Sequence, residues 1–153
     1  PHVIVFGGKN RFQSVRNGLN CIGEIDGLVA IHDGVRPFIS KRIIEETYKI
    51  AEEKGNSVAS VEMKDSIRKI ENNTNTSVNR DDFRIIQTPQ TFLLAQIRDA
   101  FLKAKTDQFT DDASVAEEAG YSIHLSEGSY DNIKITTPED LAMAEAILKK
   151  FDY

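Results

Sequence analysis

Residues 27–37 read Gly27-Leu28-Val29-Ala30-Ile31-His32-Asp33-Gly34-Val35-Arg36-Pro37. Leu28 to Ile31 is apolar throughout, with no polar alternation. That pattern suits a parallel strand covered on both faces. Asp33 then falls just beyond the strand's C-terminal end, where open α/β sheets bind their ligands. Downstream, Ser40 is placed to cap a helix bearing Ile43, Ile44, Thr47, Tyr48 and Ala51 at helical spacing, with Gly55 as its stop. Ser57 to Val61 reads as the next strand. Upstream, Val3 to Phe6 reads as a strand ended by Gly7-Gly8, and Ser14 as the cap of a short helix with Val15, Leu19 and Ile22 on one side. Strand and helix therefore alternate, which predicts an α/β domain with a mostly parallel sheet.

The rhythm breaks between Lys64 and Ile86. Ser66 to Ile70 can be a strand, Glu71 to Asn75 a polar turn, and Ser77 to Arg80 the start of a return, followed by Phe83 to Ile86. This stretch holds little apolar material, so it predicts a projecting β-arm that needs a partner surface. Helical pattern resumes after Pro89 with Leu93, Leu94, Ile97, Phe101 and Ala104 on one face. A shorter helix from Asp112 to Ala119 stops at Gly120, and Tyr121 to Leu125 reads as a strand. Thr137-Pro138-Glu139-Asp140 opens a last helix with a Thr cap, Pro at the first position and acids in the first turn. The whole, residues 1–153, reads as one domain.

Composition narrows the function. The chain has 153 residues, 40% hydrophobic and 28% charged, with a net charge of -5. That balance argues against nonspecific nucleic-acid binding. No run is long and apolar enough to cross a membrane. Cys21 is the single cysteine, which excludes an internal disulfide. With His2, His32 and His124 it shows no zinc-ligand spacing. The chain opens on Pro1-His2 directly before an apolar run, which is expected of a fragment shortened at its N-terminus.

Several polar groups stand out, each with a bland reading beside the chemical one. Asp33 with Arg36 can hold Mg2+ and an anionic oxygen together, or simply cap a turn as a pair. Gly7, Gly8, Arg11 and Ser14 can present backbone N–H groups to an anion, or form an ordinary glycine turn. Lys134, between Ile133 and Ile135, must face solvent or meet an acid or phosphate. Asp111-Asp112 is an acidic pair or a helix start, and Arg80 lies in the polar arm. His32 is a general base or a single backbone hydrogen bond. Nucleotidyl transfer, phosphosugar binding and a structural dimer fragment all remain open on these residues.

Taken in order, the segments resemble the 2-C-methyl-D-erythritol 4-phosphate cytidylyltransferases. They are Gly7-Gly8 with Arg11 and Ser14-Val15, His32 to Phe38, Lys64-Asp65-Ser66-Ile67, Asn79-Arg80, Gln87 to Phe92, Thr110 to Ser114, Asp131 to Thr136, and Thr137 to Leu141. The resemblance implies a Rossmann-like nucleotidyltransferase domain that moves CMP from CTP to methylerythritol phosphate and releases pyrophosphate. It also implies that an N-terminal glycine-rich phosphate loop is missing, so that this chain alone is expected to be inactive. By the same resemblance, Gly7, Gly8, Ser14 and Asp33 bind the nucleotide, and Asp33 and Asp131 serve Mg2+. Arg36, Ser66, Arg80 and Lys134 meet the sugar-alcohol phosphate, with Arg80 and Lys134 catalytic. A cytoplasmic homodimer with exchanged arms over 64–86 is implied too. Ribitol-5-phosphate cytidylyltransferase is the near rival, and Thr110 to Ser114 sides with the methylerythritol enzymes. A non-catalytic sugar-phosphate-binding or dimerisation module is the rival of another class.

Overall fold

The computed structural model describes residues 2–23 and 25–150. Helix α1 spans Arg11–Cys21, strand β1 Leu28–Ile31, helix α2 Lys41–Lys54 and strand β2 Asn56–Glu62. A hairpin of β3 (Arg68–Glu71) and β4 (Thr74–Ser77) follows, then a 3-10 turn over Arg80–Asp82. The chain continues through β5 (Arg84–Leu93), α3 (Leu94–Lys103), α4 (Asp112–Glu118), β6 (Leu125–Glu127) and α5 (Pro138–Leu148).

The main sheet has the order β1-β5-β2-β6. Strand β5 runs antiparallel to β1 on one side and to β2 on the other, and only β2 and β6 are parallel. The expected mostly parallel sheet is therefore wrong: the sheet is mixed and mostly antiparallel. The cause is β5, whose Pro89 reads in sequence as a break. Proline is tolerated inside a sheet where a bulge excuses it from the ladder. Here the β2–β5 register shifts between Val58, opposite Gln90, and Ser60, opposite Ile86, so Pro89 falls in the bulge. Strand β1 pairs only with residues 90–93 and needs nothing from Pro89. The Thr88–Pro89 peptide is cis. Strand β5 starts at Arg84, so its first three residues fall within the stretch read as arm.

Other boundaries also move. Val3 to Phe6 pairs with no strand among the described residues, and Val3, Ile4 and Phe6 are exposed. A short apolar run becomes a strand only where a neighbour takes its backbone hydrogen bonds. Asn10, not Ser14, caps α1 by accepting from the Gln13 N–H at 2.9 Å. Tyr121 to Leu125 yields a strand only from Leu125. Leu93, expected on the helix after Pro89, ends β5 instead, and α3 starts at Leu94. Other helix caps and stops hold. Ser40 caps α2, Gly55 ends it at φ +93°, and Thr137 with Asp140 forms a capping box on α5.

The sheet separates two packing layers. Val58 and Phe92 point into a core with Phe12 and Leu19 of α1, Ile97 and Phe101 of α3, and Val115 of α4. The pleat turns Ser57, Ala59 and Thr91 to the other face, which α2 covers with Ile43, Thr47 and Ala51. The β3–β4 hairpin stands apart as a separate two-stranded sheet, exposed along its length, with Ile70 at 72% exposure. Its Asn72-Asn73 turn has φ values of 48° and 61°, the left-handed pair of a type I′ hairpin loop. Phe92 is fully buried at the centre of the core. Phe92→Ala should cost about 3–5 kcal/mol in chemical denaturation. A loss under about 1 kcal/mol would show that the core collapses around the gap.

Candidate functional site

A cleft of about 640 Å³ opens where β1 and β5 deliver their polar ends, and Arg11, Asp33, Arg36, Thr88, Gln90 and Lys134 are among its lining. Asp33 is its electrostatic centre. Arg11 Nε lies 3.5 Å from Oδ1, while Arg36 Nε and Lys134 Nζ lie 3.4 and 3.2 Å from Oδ2. Burial alone would raise the Asp33 carboxyl. Lys134, Arg11 and Arg36 outweigh it and hold the carboxyl below its ordinary value.

Arg11 also makes a bidentate contact with the fully buried Asp112, at 2.9 and 2.6 Å. Burial works against the Arg11 charge, yet the Asp112 and Asp33 carboxylates raise its pKa. Burial pushes the Asp112 carboxyl up, with the Arg11 grip opposing it. Asp112 is held in place by Gln90, whose Oε1 accepts the Asp112 and Ala113 N–H groups at 3.0 and 2.9 Å. Gln90 Nε2 donates to Asp111, which caps α4.

The loop carrying Asp33 and Arg36 is clamped to β5. His32 Nε2 lies 2.9 Å from the Arg36 carbonyl, which can only accept, so Nε2 carries the proton. Nδ1 then accepts from the Thr88 hydroxyl at 3.0 Å, and that hydroxyl accepts the Asp33 N–H at 3.0 Å. His32 thus spends both ring nitrogens on loop geometry.

The match to known proteins runs through these residues. A family model described as IspD, 2-C-methyl-D-erythritol 4-phosphate cytidylyltransferase, matches residues 1–150. The chain belongs to this family. It is 45% identical over 151 residues to the 2-C-methyl-D-erythritol 4-phosphate cytidylyltransferase of Syntrophus aciditrophicus, covering 96% of this chain and 64% of that protein. The chain thus spans a little under two thirds of that relative's length. Among solved structures, the Thermus thermophilus protein of the same description superposes with a TM-score of 0.84 at 34% identity, over 94% of this chain and 71% of that one. The 4-diphosphocytidyl-2C-methyl-D-erythritol synthase of Anaerococcus prevotii gives 0.86 at 31%, over 94% and 66%. The Rossmann-like nucleotidyltransferase fold stands, with a mixed sheet.

The fold brings together some of the expected site residues and separates others. Asp33, Arg36 and Lys134 meet. Arg80 lies in a second hollow with Lys64, Arg84 and Tyr130, where its Nη1 donates to the Lys64 carbonyl. Ser66 is exposed at the base of the hairpin. Ser14 turns inward, accepting the Gly8 N–H and donating to the Asn10 carbonyl, each at 2.9 Å. Gly8 is packed so closely on α1 that a Cβ there would sit 2.2 Å from that of Gln13. Asp131 pairs with Lys150 at 2.7 Å and does not line the cleft with Asp33. Among the described residues no three His, Cys, Asp or Glu side chains gather as a metal cage. Asp33 shares the cleft lining with Asp82, Asp111 and Glu117, and a Mg2+ that arrives on substrate phosphates asks the protein for only one or two such carboxylates.

Sequence reasoning undervalued Arg11 and Asp112 and passed over Gln87, Thr88, Gln90 and Asn132 as individuals. Arg11 and Asp112 meet across 101 positions, a pairing that no local spacing announces. In an NMR titration the Asp33 carboxyl should titrate below its ordinary 3.8. The stability it adds is complete above the unfolded-state value and is lost as pH falls through the lowered folded value. Asp33→Asn should therefore flatten the acid limb of the stability profile. Titration at or above 3.8 would contradict the cationic cluster.

Proposed function

We propose that the protein is a cytidylyltransferase that moves CMP from CTP to 2-C-methyl-D-erythritol 4-phosphate and releases pyrophosphate, in the cytoplasm, as a step of non-mevalonate isoprenoid synthesis. One observation carries this reading: the family match passes through Asp33, Arg36 and Lys134, and the fold gathers those three in a single cleft. The family and the relatives favour methylerythritol phosphate over ribitol phosphate as acceptor.

The chemistry is direct displacement. An oxygen of the acceptor's phosphate forms a bond to the α-phosphorus of CTP, and the bond from that phosphorus to the bridging oxygen of pyrophosphate breaks. No covalent enzyme intermediate is needed. Both reactants are anions, so the protein's task is to align them and offset their charge. Lys134 and Arg36 hold the acceptor phosphate, and Ser66, exposed at the base of the hairpin and outside that cleft, brings its hydroxyl from the second subunit together with Arg80. Gly7, Gly8 and Ser14 shape the nucleotide end through the turn they lock. When bound, Mg2+ neutralises phosphate charge, and Asp33 is the carboxylate offered to it.

Arg80 completes the site from a second subunit in this reading. It does not line the Lys134 cleft of its own chain, and it follows a hairpin that no described residue covers. An isolated two-stranded hairpin is marginal in water, so packing on a two-fold partner accounts for it.

In the full-length protein, CTP, Mg2+ and methylerythritol phosphate should yield pyrophosphate, and failure to do so would refute the activity. Asp33→Asn should cut kcat by at least about a hundredfold, the scale of one lost electrostatic contact to a transition state. Near-normal turnover would make Asp33 a turn cap only. Subunit sharing is tested by mixing inactive Arg80→Ala and Lys134→Ala proteins under exchange. A mixed dimer should recover up to about half the normal activity, because one site is whole. Verified exchange without recovery would place Arg80 in its own chain's site.

A further inference from the structure

Asn132 is fully buried two residues before Lys134. Its amide nitrogen donates twice, to the Thr88 carbonyl at 2.9 Å and to Gln87 Oε1 at 3.2 Å. Its own backbone carbonyl accepts Arg36 Nη1 at 2.8 Å. Its side-chain oxygen is buried without a partner among the described residues. An orphaned buried acceptor carries a desolvation penalty. The side chain is therefore present for its two donors, and the penalty is the cost of having them there.

Those donors act on a junction. The Ile135 N–H donates to the Val35 carbonyl at 2.9 Å, and Lys134 reaches Asp33 at 3.2 Å. Residues 132–135 are thus stitched to the loop of Asp33 and Arg36, and Asn132 fastens the stitched pair to β5. Asp33 has anchors of its own, with Thr88 Oγ1 on its N–H and Arg11 on its carboxylate. Loss of Asn132 would loosen Lys134 and Arg36 before it loosened Asp33.

We propose that Asn132 is a positioning residue for the acceptor half of the reaction, fixing the peptide from which Lys134 projects and the carbonyl that aims Arg36. It touches neither reactant and acts through those two cations. The inference rests on the cytidylyltransferase reading.

Two variants test it in the full-length protein. Asn132→Asp keeps the shape and loses both donors when ionised. Asn132→Ser keeps one donor and a smaller volume, and serves if the first does not fold. Each should raise KM for methylerythritol phosphate by about tenfold or more and leave KM for CTP within about twofold, as expected when only one substrate's contacts are disturbed. Melting curves accompany the kinetics. If both KM values stay at wild-type levels, or rise together in step with lost stability, the residue is merely structural and the proposal falls. If the unaltered protein makes no product, the cytidylyltransferase reading fails and this inference goes with it.

Discussion

Strand β5 is hydrogen-bonded along both edges, to β1 through Gln90 to Leu93 and to β2 on both sides of its bulge. The loops that carry Asp33, Lys134 and Asp112 are all fastened to it. Thr88 holds the Asp33 loop through a hydroxyl that both donates and accepts. Gln87 spans to Ser129 and Asn132, donating to the first at 2.8 Å. Gln90 receives the first N–H groups of α4 and thereby places Asp112. A central strand ordinarily fills its inner positions with apolar side chains. Residues Gln87, Thr88, Gln90 and Thr91 are instead buried and polar. Most of their polar atoms are paired, which is what makes such a strand tolerable.

The charged groups follow from that scaffold. Asp112 can be buried because Arg11 meets it with two hydrogen bonds, and Arg11 reaches on to Asp33. Breaking such a pair from one side leaves an uncompensated charge in a poorly solvated place. Arg36 and Lys134 crowd the same carboxylate from the other side. The protein's net charge of -5 says nothing about this corner, where cations are concentrated by loop geometry.

Local signals were the legible part of the sequence. Ser40, Gly55, Gly120 and the Thr137-Pro138 start are chemistry between near neighbours, and the structure repeats them. Asp33, Arg36 and Lys134 stood out with a bland reading beside the chemical one, and only the resemblance gave them roles; that the three meet is what the structure adds. Sheet direction was not readable. It depends on pairing between β5 and strands more than twenty positions away, and Pro89 disguised β5 as a break. Val3 to Phe6 failed for a related reason, since an apolar run announces burial but cannot name its partner. Asn10 took the cap expected of Ser14 because α1 starts at Arg11, which leaves Ser14 inside its first turn.

The long reach of the cleft's contacts bears on how the chain acquires its shape. Arg11 finds Asp112 across 101 positions, and Arg36 finds the Asn132 carbonyl across 96. Contacts so distant along the chain must close large loops before they return any energy, which slows their formation. Helix α2 with β2, or the β3–β4 hairpin, can form soon after synthesis. The cleft must wait until the last third of the chain has left the ribosome. A ligand that occupies it therefore binds only finished molecules, and by mass action it protects those against unfolding while leaving partly folded chains to proteolysis.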